Sequence, residues 1–363
     1  MSIQATRAYA QNHDEICNTI MLNMSTVLVQ GHMGIGKSTL LEMLADKKKY
    51  PTFYFDCTTA DLGDIMIPKI NHLEGVDFVS FAINEMLGLH KDEPVIIMLD
   101  ELGKANPAVK KGLTRFMLER QVGKYKLHPD SLLFATTNLT DEGVGDMFEM
   151  HQCDRLNMVE MRKPSAEEWL LYGVNKGLDA NVLGLAKEFT QIFDDFRDVK
   201  RPDDNPYIFH PQAVGRDKFV TPRGLEKASG VLKQRDKMTD NSLMSNLIGT
   251  LGERASMDLM SFVKLSDQMP KREDIIKDPK TAKIPESASA ICMVVFNALA
   301  TMDREYINPW MDYLNRFEDA DAQALFANGV RDGKYNKQSL VMTNAKFTDW
   351  SRKNNYMFAS DIK

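Results

Sequence analysis

Apolar residues in the first 163 positions gather into short runs separated by stretches of helical period. Five runs read as strands, at 26–30, 52–56, 95–99, 132–136 and 157–161. Their middles are almost wholly apolar, as in Val27-Leu28-Val29 and Val95-Ile96-Ile97-Met98-Leu99, the pattern of strands covered on both faces. With helices between them they predict an α/β domain, a parallel five-stranded sheet flanked by helices. Asn106-Pro107 supplies an N-cap and a proline at the first helical position, opening a helix through Leu113, Phe116 and Met117 to about Arg120.

After the fifth strand Arg162-Lys163-Pro164 breaks the pattern, and Ser165 with Glu168 forms a capping box. Beyond it the period is almost entirely helical, with core faces from Trp169-Leu170-Leu171, Val182-Leu183, Leu185-Ala186 and Ile192-Phe193. A loop at 201–219 leads to Thr221-Pro222-Arg223, again an N-cap with proline at N1. A Lys/Asp/Pro-rich connector follows at 270–285, then an apolar helix at 291–302 and a polar helical region ending near Ile362. The expected organisation is an α/β domain at 1–163, an all-α lid at 164–269 and a C-terminal helical region at 270–363.

Composition narrows the classes. The 363 residues carry 45 Lys and Arg against 51 Asp and Glu, a formal charge of −6, so no broad cationic surface for a nucleic-acid backbone is expected. The basic run Lys47–Lys49 reads as a solvated helix C-terminus. The four cysteines, Cys17, Cys57, Cys153 and Cys292, form no CxxC pair and indicate neither zinc nor a disulfide framework. No signal-peptide core and no run of about 18 apolar residues occurs, so a soluble, cytoplasmic protein is expected.

Gly31-His32-Met33-Gly34-Ile35-Gly36-Lys37-Ser38 matches the phosphate-binding pattern G-x-x-x-x-G-K-[ST] throughout, with Thr39 opening the helix that follows. Strand before and helix after converge main-chain amides on an anion. Lys37 supplies a point charge for the β- and γ-phosphates of ATP, and Ser38 offers a hydroxyl to Mg²⁺. The strand at 95–99 runs into Asp100-Glu101: Asp100 is placed to hold Mg²⁺ through water and Glu101 to act as general base. The strand at 132–136 leads into Thr137-Asn138, and Asn138 could orient the attacking water if that strand lies between the other two.

This order of motifs resembles the AAA+ ATPases, a P-loop NTPase fold, over roughly residues 8–235. The Asp-Glu pair followed by a proline-opened helix, and Thr221-Pro222-Arg223 downstream, resemble the MoxR and dynein-related branch. The remaining helices resemble phage-encoded members only loosely. The resemblance implies that Arg155 reaches a neighbouring subunit's γ-phosphate, with Arg120 and Arg162 as rivals, and that Arg223 reads the nucleotide in its own subunit. It also implies a homo-oligomeric ring, a hexamer, that remodels a protein client such as one with a von Willebrand A-type domain. There are departures: the family often has Arg two residues before the helix-opening Pro, where this chain has Lys104-Ala105-Asn106-Pro107, the 121–130 hairpin is short, and 62–89 would hold an insertion whose Phe78 and Phe81 read as packing residues.

Three functions therefore stay open: a chaperone-like remodelling ATPase, a nucleic-acid ATPase of the replication-loader kind, and an ATP-dependent scaffold without turnover. The acidic balance weighs against the second. Intact Glu101 and Asn138 weigh against the third.

Overall fold

The computed structural model describes residues 8–139, 154, 156–267, 269–318 and 320–358, which fall into two compact units, Met1–Pro164 and Ser165–Lys363. In the first, α1 (His13–Met21), β1 (Val27–Gly31), α2 (Thr39–Lys48) and β2 (Thr52–Asp56) are followed by a short α3 (Leu62–Ile65). Then come β3 (Met66–Leu73), β4 (Val76–Ile83), β5 (Ile96–Asp100), α4 (Pro107–Glu119), β6 (Gln121–Val122), β7 (Tyr125–Lys126), β8 (Leu132–Asn138) and β9 (Asn157–Met161).

The main sheet has the order β2-β5-β8-β1-β9 and all its pairings are parallel. Alternation along each strand splits the apolar residues between two faces. Val27, Val29, Ile96, Met98, Leu132 and Phe134 pack in one core with Ile16 and Ile20 of α1 and Leu40 and Leu44 of α2. Leu28, Ile97, Leu99, Leu133 and Ala135 pack in the other with Val109, Leu113 and Phe116 of α4. Helix α4 starts as its sequence dictates, with Asn106 Oδ1 accepting from the Val109 amide at 2.9 Å and Pro107 at N1. β8 lies between the acidic strand β5 and the glycine-loop strand β1, the condition on which a role for Asn138 rested.

One reading is corrected. The insertion is a separate antiparallel hairpin, β3 against β4, reversed by Glu74-Gly75, both with positive φ as a two-residue hairpin turn requires. Phe78 and Phe81 are 46% and 37% exposed, as are Ile67, Ile70, Leu73, Val76 and Val79 to similar or greater degrees, so these aromatics are not core residues. A two-stranded hairpin has two faces, and among its described residues it is the base, Met66 and Ile83, that packs against the core of the sheet.

The second unit has only helices and turns among its described residues. The predicted capping box opens it, Ser165 Oγ accepting from the Glu168 amide at 3.2 Å and Glu168 Oε2 from the Ser165 amide at 2.8 Å. The 270–285 stretch holds a short helix, Arg272–Lys277, with Ile275 buried. Helices before and after it share one apolar core running from Trp169 through Leu247, Leu259, Val295 and Trp310 to Trp350. No described helix is long and apolar enough to cross a membrane.

Candidate functional site

The glycine loop leaves the C-terminal end of β1 and turns into α2. Gly31 must be glycine: an added Cβ would lie 2.8 Å from Ile35 Cδ1 and 2.9 Å from the Met161 carbonyl oxygen. Gly36 has φ +92°, open to glycine and strained for other residues. The amides of Gly34, Gly36 and Ser38 donate to no protein acceptor among the described residues, and the Ser38 hydroxyl leaves the helix N-terminus uncapped. Unpaired donors at the start of a ten-residue helix, with a hydroxyl beside them, fit a phosphate and its metal ion. His32 and Ile35 are buried, Met33 is half-buried, and the Thr39 hydroxyl donates to the Gly36 carbonyl at 2.7 Å. His13 Nε2, from α1, lies 3.1 Å from the Ile35 carbonyl oxygen and braces the loop.

Lys37 is only 6% exposed. Its ammonium donates to the Gly31 carbonyl at 2.8 Å, the His32 carbonyl at 2.9 Å and Asn138 Oδ1 at 2.7 Å. The last bond follows from register, because Gly31 and Asn138 are direct partners in the β1–β8 pairing. Asn138 Nδ2 in turn donates to Glu101 Oε2 at 3.1 Å. Lys37, Asn138 and Glu101 thus form one hydrogen-bonded chain across three strands' ends. A buried ammonium gathered by carbonyl and amide oxygens is one for which a phosphate would compete on favourable terms.

Asp100 ends β5 and both of its oxygens are occupied. The Thr136 hydroxyl of β8 donates to Oδ1, and the Tyr54 hydroxyl of β2 donates to Oδ2 at 2.8 Å. Burial, and then the hydrogen bond to Asp100, push the Tyr54 pKa upward, so the phenol stays protonated and able to donate. Thr136 Oγ1 also accepts from the Glu101 amide at 3.2 Å, fixing a residue whose φ of 54° is left-handed. Tyr54 and Thr136 escaped the sequence reading. An aromatic and a β-branched residue in strands signal only β propensity, and it takes the strand order to set them on either side of Asp100.

The four arginines separate. Arg155 lies outside the described residues. Arg120, at the C-cap of α4, spends its guanidinium on the Ser131 carbonyl and Asn23 Oδ1 and is lowered in pKa by burial, a structural clasp between loops. Arg162 donates to the Lys163 carbonyl at 3.0 Å. Arg223 stands exposed in the first turn of an eleven-residue helix, Pro222–Leu232, in the second unit.

No protein-family model matches the chain, and no match is found among curated proteins. Among solved structures, a mutant of RuvB from Thermotoga maritima is similar at 12% identity over 73% of each chain, with a TM-score of 0.38. The RuvB Holliday junction branch migration motor of the same organism is similar at 14% identity over 73% of this chain and 74% of that one, TM-score 0.36. A candidate ATPase from Cytophaga hutchinsonii is similar at 14% identity over 69% and 88%, TM-score 0.34. At this distance the likenesses carry no functional argument.

Proposed function

We propose that the chain is a magnesium-dependent ATP hydrolase of AAA+ type that works in an oligomeric ring, a hexamer, to remodel a protein partner, in the manner of the MoxR branch. The hydrogen-bonded chain from Lys37 through Asn138 to Glu101 carries the catalytic part of this reading. It joins a phosphate-directed cation to a carboxylate through an amide able to report on both.

The loop amides and Lys37 would hold the triphosphate, and Ser38 and Asp100 would hold Mg²⁺, which when bound neutralises phosphate charge. Glu101 accepts the proton of the attacking water and Asn138 orients that water. Asp100 stays fixed between two hydroxyls, so it can order the metal's water without reorganising. Arg155 from a neighbouring subunit and Arg223 from the lid, residues 164–269, supply the remaining positive charge.

A protein client is favoured over nucleic acid by the exposed hairpin. Its outward residues are mainly Ile, Leu, Val and Phe, and Lys69 is the only Lys or Arg between Met66 and Ile83. Phosphate backbones are met by cations, apolar chains by apolar surface. Glu101→Gln should bind Mg-ATP with unchanged affinity, assemble, and release phosphate at least about a hundredfold more slowly. Phosphate release at the parental rate would remove the base. Several-fold stimulation by single-stranded DNA, steeply weakened by salt, would replace the protein client with a nucleic acid.

A further inference from the structure

We propose that Lys104 is a positioning residue for hydrolysis: its ammonium anchors one oxygen of Glu101 so that the other faces the water. The inference rests on the reading of Glu101 as general base. Lys104 Nζ lies 2.7 Å from Glu101 Oε2, with the two side chains 31% and 23% exposed. Asn138 Nδ2 reaches the same oxygen. The amide's hydrogen bond and the ammonium's ion pair therefore both fall on Oε2, and no described residue donates to Oε1.

The local backbone is built for this contact. Residues Leu102–Lys104 form a 3₁₀ turn, in which side chains three apart eclipse, and the Lys104 amide closes it on the Glu101 carbonyl at 2.9 Å. Leu102 and Ala105 are buried and pin the turn from below. Glu101 itself is held at a left-handed φ that a non-glycine residue adopts at a cost, the kind of strain that collects at working sites. An ordinary surface pair looks different: in Lys49–Asp46 the side chains are 77% and 86% exposed and the charges stand 3.4 Å apart.

In the reaction, a water oxygen bonds to the γ-phosphorus as the bond from that phosphorus to the β–γ bridging oxygen breaks. The water proton passes to Glu101 Oε1, and the products are ADP and inorganic phosphate. A carboxylate free to rotate would offer Oε1 in the productive direction only part of the time. Lys104 removes that freedom without touching nucleotide or water.

The test uses the full chain with Mg-ATP. Lys104→Met should lower kcat about tenfold with KM for ATP and nucleotide affinity unchanged within about twofold, and Lys104→Arg should restore most of the rate. A parental or higher kcat in Lys104→Met overturns the proposal, as does a fall matched by lost nucleotide affinity or left unrepaired by arginine. Glu101→Gln separates the two levels. If it is inactive while Lys104→Met is unimpaired, only Lys104 loses its role; if it turns over normally, the reading of the base itself fails.

Discussion

All seven residues of β8 are buried although the last three, Thr136, Thr137 and Asn138, are polar. In the hairpin of β3 and β4, Ile67, Ile70, Leu73, Val76, Phe78 and Val79 are exposed although all are apolar. Each region departs from the usual partition, in opposite directions, and departures of both kinds are what burial has to say about function. In β8 the side chains of Thr136 and Asn138 are paired with Lys37, Asp100 and Glu101, so the strand can keep polar groups buried at its end. In the hairpin the apolar side chains of both strands stand exposed among the described residues.

Substitutions can break or sharpen this contrast. Phe134→Ala, emptying a fully buried site in the apolar half of β8, should cost about 3–5 kcal/mol in denaturant unfolding of the whole chain. A loss below about 1 kcal/mol would mean that the sheet is not packed as tightly as described. Thr136→Val keeps the shape but strands Asp100 Oδ1 and the Glu101 amide, and should cost about 1–3 kcal/mol by the same measurement. No change there would show that the polar end of β8 is held by something other than these bonds. Phe78→Ala, on the hairpin, should shift stability by no more than about 0.5 kcal/mol. A loss like that of Phe134 would place the hairpin in a core after all.

The central sheet was legible because strands buried on two faces must be continuously apolar, and Val95 to Leu99 can hardly be anything else. Strand ends were less so. β1 and β5 begin and end one residue later than the apolar run suggests, and β8 continues to Asn138 because pairing with Gly31 carries it there. The glycine loop was legible as a motif, and its contact with Asn138 only as a condition on strand order. The hairpin misled because Ile, Val and Phe in alternation normally predict a covered face, and sequence does not say whether a cover exists. The contact of Lys104 was not legible for a plainer reason: it comes from three residues of 3₁₀ turn that bring the side chain back over Glu101.

The hydroxyl of Thr136 has a single hydrogen to give. It goes to Asp100, and the lone pairs face the Glu101 amide, so the bridge has a direction. The side chain of one acid is thereby tied to the backbone seat of the next, and neither can be moved alone.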